Sequence, residues 1–391
     1  MRLALAVLIL LLSIAPAMAL CSYEVVEERY ADPFTVDISS MPSLKDLPVD
    51  DPSDGIDWVK VPLPKPCVNG MGKDTFIMVR KGSSNNLLIF FEGGGACADY
   101  ETCKPMLCTD LKSCKPLLGI GSVVALESNF CFLKLYYRGG IFDVKKAENP
   151  FRDWTIVFVP YNTGDLHMGN RVVRYFDDGK EKTIYHVGYV NAIVAMRWIK
   201  ENGNFDRIVV AGSSAGGYAT LLHGYTAWSI FGKPVTVIND AGPGINPDSD
   251  SKFQVNEIME RWGSKQNFPP EALQYFEGKD PAYAIEYFLD KCSDCVYGFF
   301  EDQKDLVIGS VFSAYWPWQF KTRLLKVTDE LRDYSDRYCR FLPYDYQHTV
   351  LTGGLLYPLQ KDRFYCEKVG GYRVYEWVKE LLRGNCVDLV E

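Results

Sequence analysis

Gly212-Ser-Ser-Ala-Gly216 sets Ser214 between two glycines, directly after the apolar run Ile208 to Ala211 and directly before a helical pattern, Tyr218 to Ile230. A strand, a sharp Gly-x-Ser-x-Gly turn and a helix present a serine hydroxyl for nucleophilic attack. The spacing has a physical reason: strand and helix nearly touch at such a turn, so residues two positions either side of the nucleophile must lack Cβ atoms. Ala215 then opens the helix, where unpaired N–H groups can receive an oxyanion. The structural rival is a strand-to-helix turn whose glycines serve packing alone.

A nucleophilic serine needs further oxyanion donors, a general base and a carboxylate to orient that base. Glu92-Gly-Gly-Gly-Ala96 follows the apolar run Leu87 to Phe91, and its backbone can approach a ligand closely. Gly94 and Gly95 are therefore the expected donors beside Ala215. Only four histidines compete for the base. His223 falls about two and a half turns down the helix from Ser214, too far to take its proton. His186 opens a helical pattern and reads as a surface or capping residue. His167 sits in a loop after a strand, where it can line a pocket. His348, in Pro343-Tyr-Asp-Tyr-Gln-His-Thr349, comes late and in a loop, and the chain order serine, acid, histidine selects it. The acid should follow the strand Val296 to Phe300, which leaves Glu301, Asp302 and Asp305 as candidates. Asp240 is the outsider, since Asp before Ala-Gly-Pro also fits a structural turn.

These residues require a scaffold that brings strand ends together. Apolar runs at Thr75 to Val79, Leu87 to Phe91, Thr155 to Pro160, Ile208 to Ala211, Val235 to Asn239 and Val296 to Phe300 alternate with helical patterns. The helices are expected at His186 to Lys200, Tyr218 to Ile230, Leu306 to Phe320 and Tyr372 to Leu382. Such alternation predicts an α/β fold with a mostly parallel sheet flanked by helices. Ala98 to Gly139, rich in cysteine, and Asn246 to Asp290 read as insertions on that core. Val61-Pro-Leu-Pro-Lys-Pro66 is expected to seat the amino-terminal region. No linker divides the chain, so residues 20–391 are expected to form one domain.

Residues 1–19 read as a secretory signal: Arg2, then the apolar stretch Leu3 to Ile14, then Ala17-Met-Ala19 as a small-residue cleavage site. The stretch is short for a membrane span, and Pro16 interrupts it. All 12 cysteines lie beyond that point, which fits disulfides formed in an oxidising compartment and a secreted or cell-surface protein. Five of them fall between Cys97 and Cys131, a cluster whose spacing suits zinc less well than disulfides. Cys292 and Cys295 offer a thiol–disulfide redox alternative, but an apolar strand pattern follows them where a redox motif needs a helix. Net charge is −8 with no basic cluster, which argues against nucleic acid as a partner.

Assembled in this way, the chain resembles the pectin acetylesterase and Notum family of secreted serine carboxylesterases, which have an α/β-hydrolase-like fold. Phe91-Glu-Gly-Gly-Gly-Ala-Cys97 followed by Cys103 is similar to the family's Glu-Gly-Gly-x-x-Cys segment and its second cysteine. Gly-Ser-Ser-Ala-Gly-Gly217 and Asp240-Ala-Gly-Pro243 match as well. The resemblance implies Ser214 as nucleophile, His348 as base and Gly94, Gly95 and Ala215 as oxyanion donors. It implies Asp305 as acid with Asp302 in reserve, although Ile308 stands where the family carries a Gln. It further implies a Cys97–Cys103 disulfide and, in Tyr161 to Gly169, a cleft-lining loop with Asp165 and His167 as pocket residues. The implied reaction is hydrolysis of an acetyl or other short-chain acyl ester of a polysaccharide, an acylated protein or a small alcohol, without metal or organic cofactor. A catalytically silent carbohydrate- or lipid-binding member is the other class. The aromatics of Phe312 to Phe320, with Trp316 and Trp318, either line an acyl or sugar pocket or form helix core.

Overall fold

The computed structural model describes residues 23–103, 133, 137–247, 250–353 and 361–391. The expected leader, Cys21, Cys108, Cys114 and Cys131, and most of the cysteine-rich insertion lie outside these residues. A nine-stranded sheet organises the rest, in the spatial order Leu389–Val390, Tyr338–Leu342, Val296–Phe300, Val235–Asp240, Arg207–Ser213, Asn86–Phe91, Thr155–Val159, Phe76–Arg80 and Val59–Pro62. Neighbours are parallel from Leu389–Val390 through to Thr155–Val159 and antiparallel for the last two pairings. The proline-rich patch thus begins as an edge strand, where a missing N–H is tolerated.

The apolar runs read as strands because both of their faces are covered. Along Asn86–Phe91, Leu87, Ile89 and Phe91 belong to one core cluster and Leu88 and Phe90 to another, the period-two alternation of a sheet buried on both sides. The helices Gly188–Asn202, Ala215–Phe231 and Pro317–Tyr334 pack into the first cluster, and Val374–Leu382 into the second. Among the described residues no helix is long and apolar enough to cross a membrane.

Three local departures from expectation have physical causes. Leu306 to Phe320 is not one helix: a π-helical turn at Leu306–Phe312 gives way before the helix Pro317–Tyr334, with Trp316 extended ahead of Pro317 as the proline ring requires. The expected helix at Tyr372 begins at Val374, after the two-residue strand Tyr372–Arg373. Arg171–Asp177 and Lys180–His186 form a hairpin that pairs with Tyr23–Glu27, an element absent from the expectations. Its turn residues Asp178 and Gly179 both take positive φ (45° and 76°), the geometry of a tight hairpin.

Three disulfides join described residues: Cys97–Cys103, Cys292–Cys295 and Cys339–Cys386. Cys292 and Cys295 are buried, and Arg337 holds both of their carbonyls. A redox pair must meet a partner dithiol, so this burial counts against that alternative.

Candidate active site

Five neighbouring parallel strands deliver the residues of interest at their carboxyl ends: Asn86–Phe91 leads into Glu92 to Gly95, Arg207–Ser213 into Ser214, Val235–Asp240 ends on Asp240, Val296–Phe300 leads to Asp305, and Tyr338–Leu342 leads to His348. Ligand crevices of parallel sheets open at this edge.

Ser214 holds φ 56° and ψ −117°, a conformation strained for a residue with a Cβ. Its N–H bonds the Asp240 carbonyl at 2.7 Å, and its own carbonyl receives Tyr218 N at 3.0 Å, so the surrounding structure enforces the strain. Close approach explains two flanking glycines. A Cβ on Gly216 would lie 1.9 Å from the Phe91 carbonyl oxygen, and one on Gly93 would lie 2.6 Å from the Ser213 carbonyl oxygen and 3.1 Å from Ser214 Cβ. The glycine loop therefore rests directly on the elbow.

Ala215 is the first helical residue, and Gly94 and Gly95 adopt φ 159° and 87°. Among the described residues none of these three N–H groups has a hydrogen-bond acceptor. Gly95 and Ala215 line a cavity together with Ser214. Tyr161, whose role went unread in the sequence, buttresses that loop: its hydroxyl donates to the Gly95 carbonyl at 2.8 Å and accepts Leu166 N at 3.0 Å. The Cys97–Cys103 disulfide, as the resemblance implied, closes the loop's far end.

Asp305 caps the π-helical turn. Its Oδ1 accepts the amides of Val307 (2.6 Å) and Ile308 (3.0 Å), while Oδ2 receives His348 Nδ1 at 2.5 Å. Ile308 thus supports the carboxylate through its backbone, where the family pattern supplies a Gln. Burial works against charge on His348, but the carboxylates of Asp305, Asp240 and Asp302 outweigh it and raise its basicity. Asp302 is occupied elsewhere, held by both terminal nitrogens of Arg363 at 2.8 Å. Arg363 also donates to the Thr349 carbonyl at 3.0 Å, which fixes the residue after His348.

Asp240 ties the two halves together. It accepts the Ser213 hydroxyl at 2.5 Å, Val350 N at 2.9 and 3.1 Å and Leu351 N at 2.9 Å, so the elbow and the histidine loop share one carboxylate. Among the described residues no hydrogen bond joins Ser214 to His348. Such contacts are often loose without substrate and tighten in the reacting complex.

The remaining histidines and the expected pocket pair correct the sequence reading. Asp165 and His167 do not line the cavity. Asp165 is fully buried, accepting Thr163 Oγ1, His167 N and Gly188 N, and burial pushes its carboxyl up to about 6. His167 Nε2 meets the Glu92 carbonyl at 2.9 Å, and burial lowers its pKa to about 3. His186 is no surface cap: it ends a strand inside the core, with Nε2 on the Tyr175 hydroxyl at 2.8 Å and Nδ1 on the Thr163 carbonyl at 3.1 Å. His223 stacks on Phe91 in the core, with ring centroids 4.7 Å apart.

The cleft beside Ser214 takes in about 410 Å³ of empty space, part of it open solvent. Its wall is apolar, with Leu166, Tyr218, Phe253, Ile258, Ile308 and Phe312 prominent. Trp316 and Trp318 are neither pocket wall nor core. They stand 54% and 61% exposed, stacked at 5.2 Å with 9° between their planes, just beyond the cavity residue Ser313.

A pectinacetylesterase family model matches residues 67–283, more than half of the chain. Pectin acetylesterase 7 of Arabidopsis thaliana is 28% identical over 193 residues, which cover 47% of this chain and 45% of that protein. The alignment therefore spans about half the length of this curated relative. Among solved structures, two crystal forms of the Wnt deacylase Notum from Drosophila share the fold with TM-scores of 0.62 and 0.59 at 18% and 17% identity. They cover 86% of this chain and 96% and 95% of theirs.

Proposed function

The chain belongs to the pectinacetylesterase family, and we propose that it is a secreted serine carboxylesterase that hydrolyses acetyl or other short-chain acyl esters of a polysaccharide. The observation that carries this reading is the 2.5 Å bond from His348 to Asp305, tied to the Ser214 elbow through Asp240. His348 Nε2 takes the Ser214 proton as Oγ attacks the ester carbonyl, and the Gly94, Gly95 and Ala215 N–H groups receive the oxyanion. Collapse of the tetrahedral adduct breaks the ester bond, with His348 returning the proton to the departing alcohol. Water, activated by the same histidine, then attacks the acyl-serine and releases the acid and the free hydroxyl.

The apolar wall beside Ser214 suits an acyl group, and the exposed Trp316–Trp318 pair, which follows the cavity residue Ser313 in the chain, suits the apolar face of a sugar ring. Residues 1–19 act as an export leader, and residues 20–391 form the mature single domain; the three disulfides support this reading. Ser214→Ala is expected to lose hydrolysis of a short-chain aryl acetate with its unfolding transition intact, and retained activity would reject Ser214 as nucleophile.

A further inference from the structure

Asp240, Glu301, Asp302 and Asp305 are all fully buried around the carboxyl ends of two adjacent strands. Arg363 pairs with Asp302, and His348 with Asp305. Asp240 is satisfied by a hydroxyl and two amides. Glu301 has no such arrangement. Its Oε1 accepts Asp302 N at 3.1 Å, and Oε2, sealed from solvent, has no donor among the described residues. A buried carboxylate with one oxygen unpaired, crowded by three other carboxylates and reached by no cation among the described residues, is strongly disfavoured.

One added proton resolves this. Counted as an anion, Glu301 leaves Oε2 orphaned; counted as an acid, it has a proton to offer, and Asp305 is the carboxylate that acts on it most strongly. We propose that Glu301 is held as a neutral carboxylic acid that donates a hydrogen bond to Asp305, making it a positioning residue for the Asp305–His348 pair. This rests on the esterase reading above. Burial first, then the charges of Asp305, Asp302 and Asp240, hold the Glu301 proton on well above the usual carboxylate range. The other groups that feel its field are the Tyr218 and Tyr338 hydroxyls, both kept protonated by burial.

The consequence falls on Asp305. With Val307 N, Ile308 N and the Glu301 proton fixing its plane, the oxygen facing His348 has a set direction. The donated proton also draws charge from Asp305, so His348 is less basic than it would be beside a carboxylate lacking that donor.

Glu301→Gln and Glu301→Met separate donor, charge and volume. The readout is His348 titration by NMR, assigned against His348→Gln, together with the acidic limb of kcat/KM for an aryl acetate. Gln keeps a donor and removes no charge, so both midpoints are expected within about 0.3 unit of wild type. Met removes the donor at similar volume: the midpoints should rise by about half a unit or more and kcat/KM should fall about tenfold. A fall of about one unit in the Gln variant would mean that Glu301 is an anion and overturn the proposal. Met midpoints equal to wild type would overturn it too, and if Met does not fold the Gln result decides alone. Failure of the esterase reading is separable, because it appears as activity retained in Ser214→Ala while the His348 titration still reports on Glu301.

Discussion

Replacing Asp240 should damage activity and stability together, because one buried carboxylate joins the nucleophile elbow to the histidine loop. It receives the Ser213 hydroxyl and the amides of Val350 and Leu351 at 2.5 to 3.1 Å. Asp240→Asn can place its single carbonyl oxygen at the Oδ2 position, which all three donors reach, but its NH2 then faces the amide of Val350. Three bonds drop from charged to neutral strength and one donor–donor contact appears, a loss of about 2–4 kcal/mol. Asp240→Ala orphans both amides and the hydroxyl and should cost about 3–5 kcal/mol. The damage is not only global. Val350 is two residues from His348, and a shift of about 1 Å in a catalytic group can cost about 100-fold in rate. Urea unfolding would measure the stability loss, and kcat/KM for an aryl acetate, taken well below the unfolding midpoint, would measure the rate. The reasoning is refuted if Asp240→Ala loses less than about 1 kcal/mol and keeps kcat/KM within about threefold of wild type.

Three further outcomes follow from the same geometry. His186 is held neutral by burial, with a pKa near 3 against an unfolded value of about 6.5, so the native state binds fewer protons in that window and this group's contribution is lost as pH falls through it. His186→Gln should therefore show a stability–pH slope shallower by up to about 1.4 kcal/mol per pH unit between about pH 6 and 4, and parallel curves would contradict this. Ile258→Trp narrows the cavity beside Ser214 and should cut activity on hexanoyl and longer aryl esters about tenfold or more while largely sparing acetyl esters; an equal loss on both would remove the acyl group from that cavity. The pair Trp316→Ala and Trp318→Ala should raise KM for an acetylated polysaccharide about three- to tenfold and leave a small aryl acetate unchanged, whereas parallel changes on both substrates would point to a structural role.

What the sequence disclosed was local, and what it hid was set by distant partners. The elbow at Ser214 is legible because its glycines answer a steric demand within five residues, and the sheet because its strands are apolar on both faces. His348 is legible through chain order and the scarcity of histidine. The choice among Glu301, Asp302 and Asp305 depends on Arg363, 61 positions from Asp302, whose pairing no local pattern announces. His167 looks like a cleft residue because a polar side chain in a loop after a strand usually meets solvent, and the family resemblance of its loop adds Asp165. Here Thr163, Gly188 and the Glu92 carbonyl satisfy them inside the core. Two signals were present but unread: Asp178-Gly179 between alternating runs marked the hairpin, and Pro317 marked the break after the π-helical turn.

The central claim is that Ser214 is an activated nucleophile served by His348. Treatment with a fluorophosphonate, followed by peptide mass mapping, tests it directly, since only an activated serine reacts. The account predicts one adduct, on Ser214, whose formation is suppressed in His348→Gln. An unlabelled protein, an adduct on another residue, or labelling of Ser214 that is indifferent to His348 would contradict it.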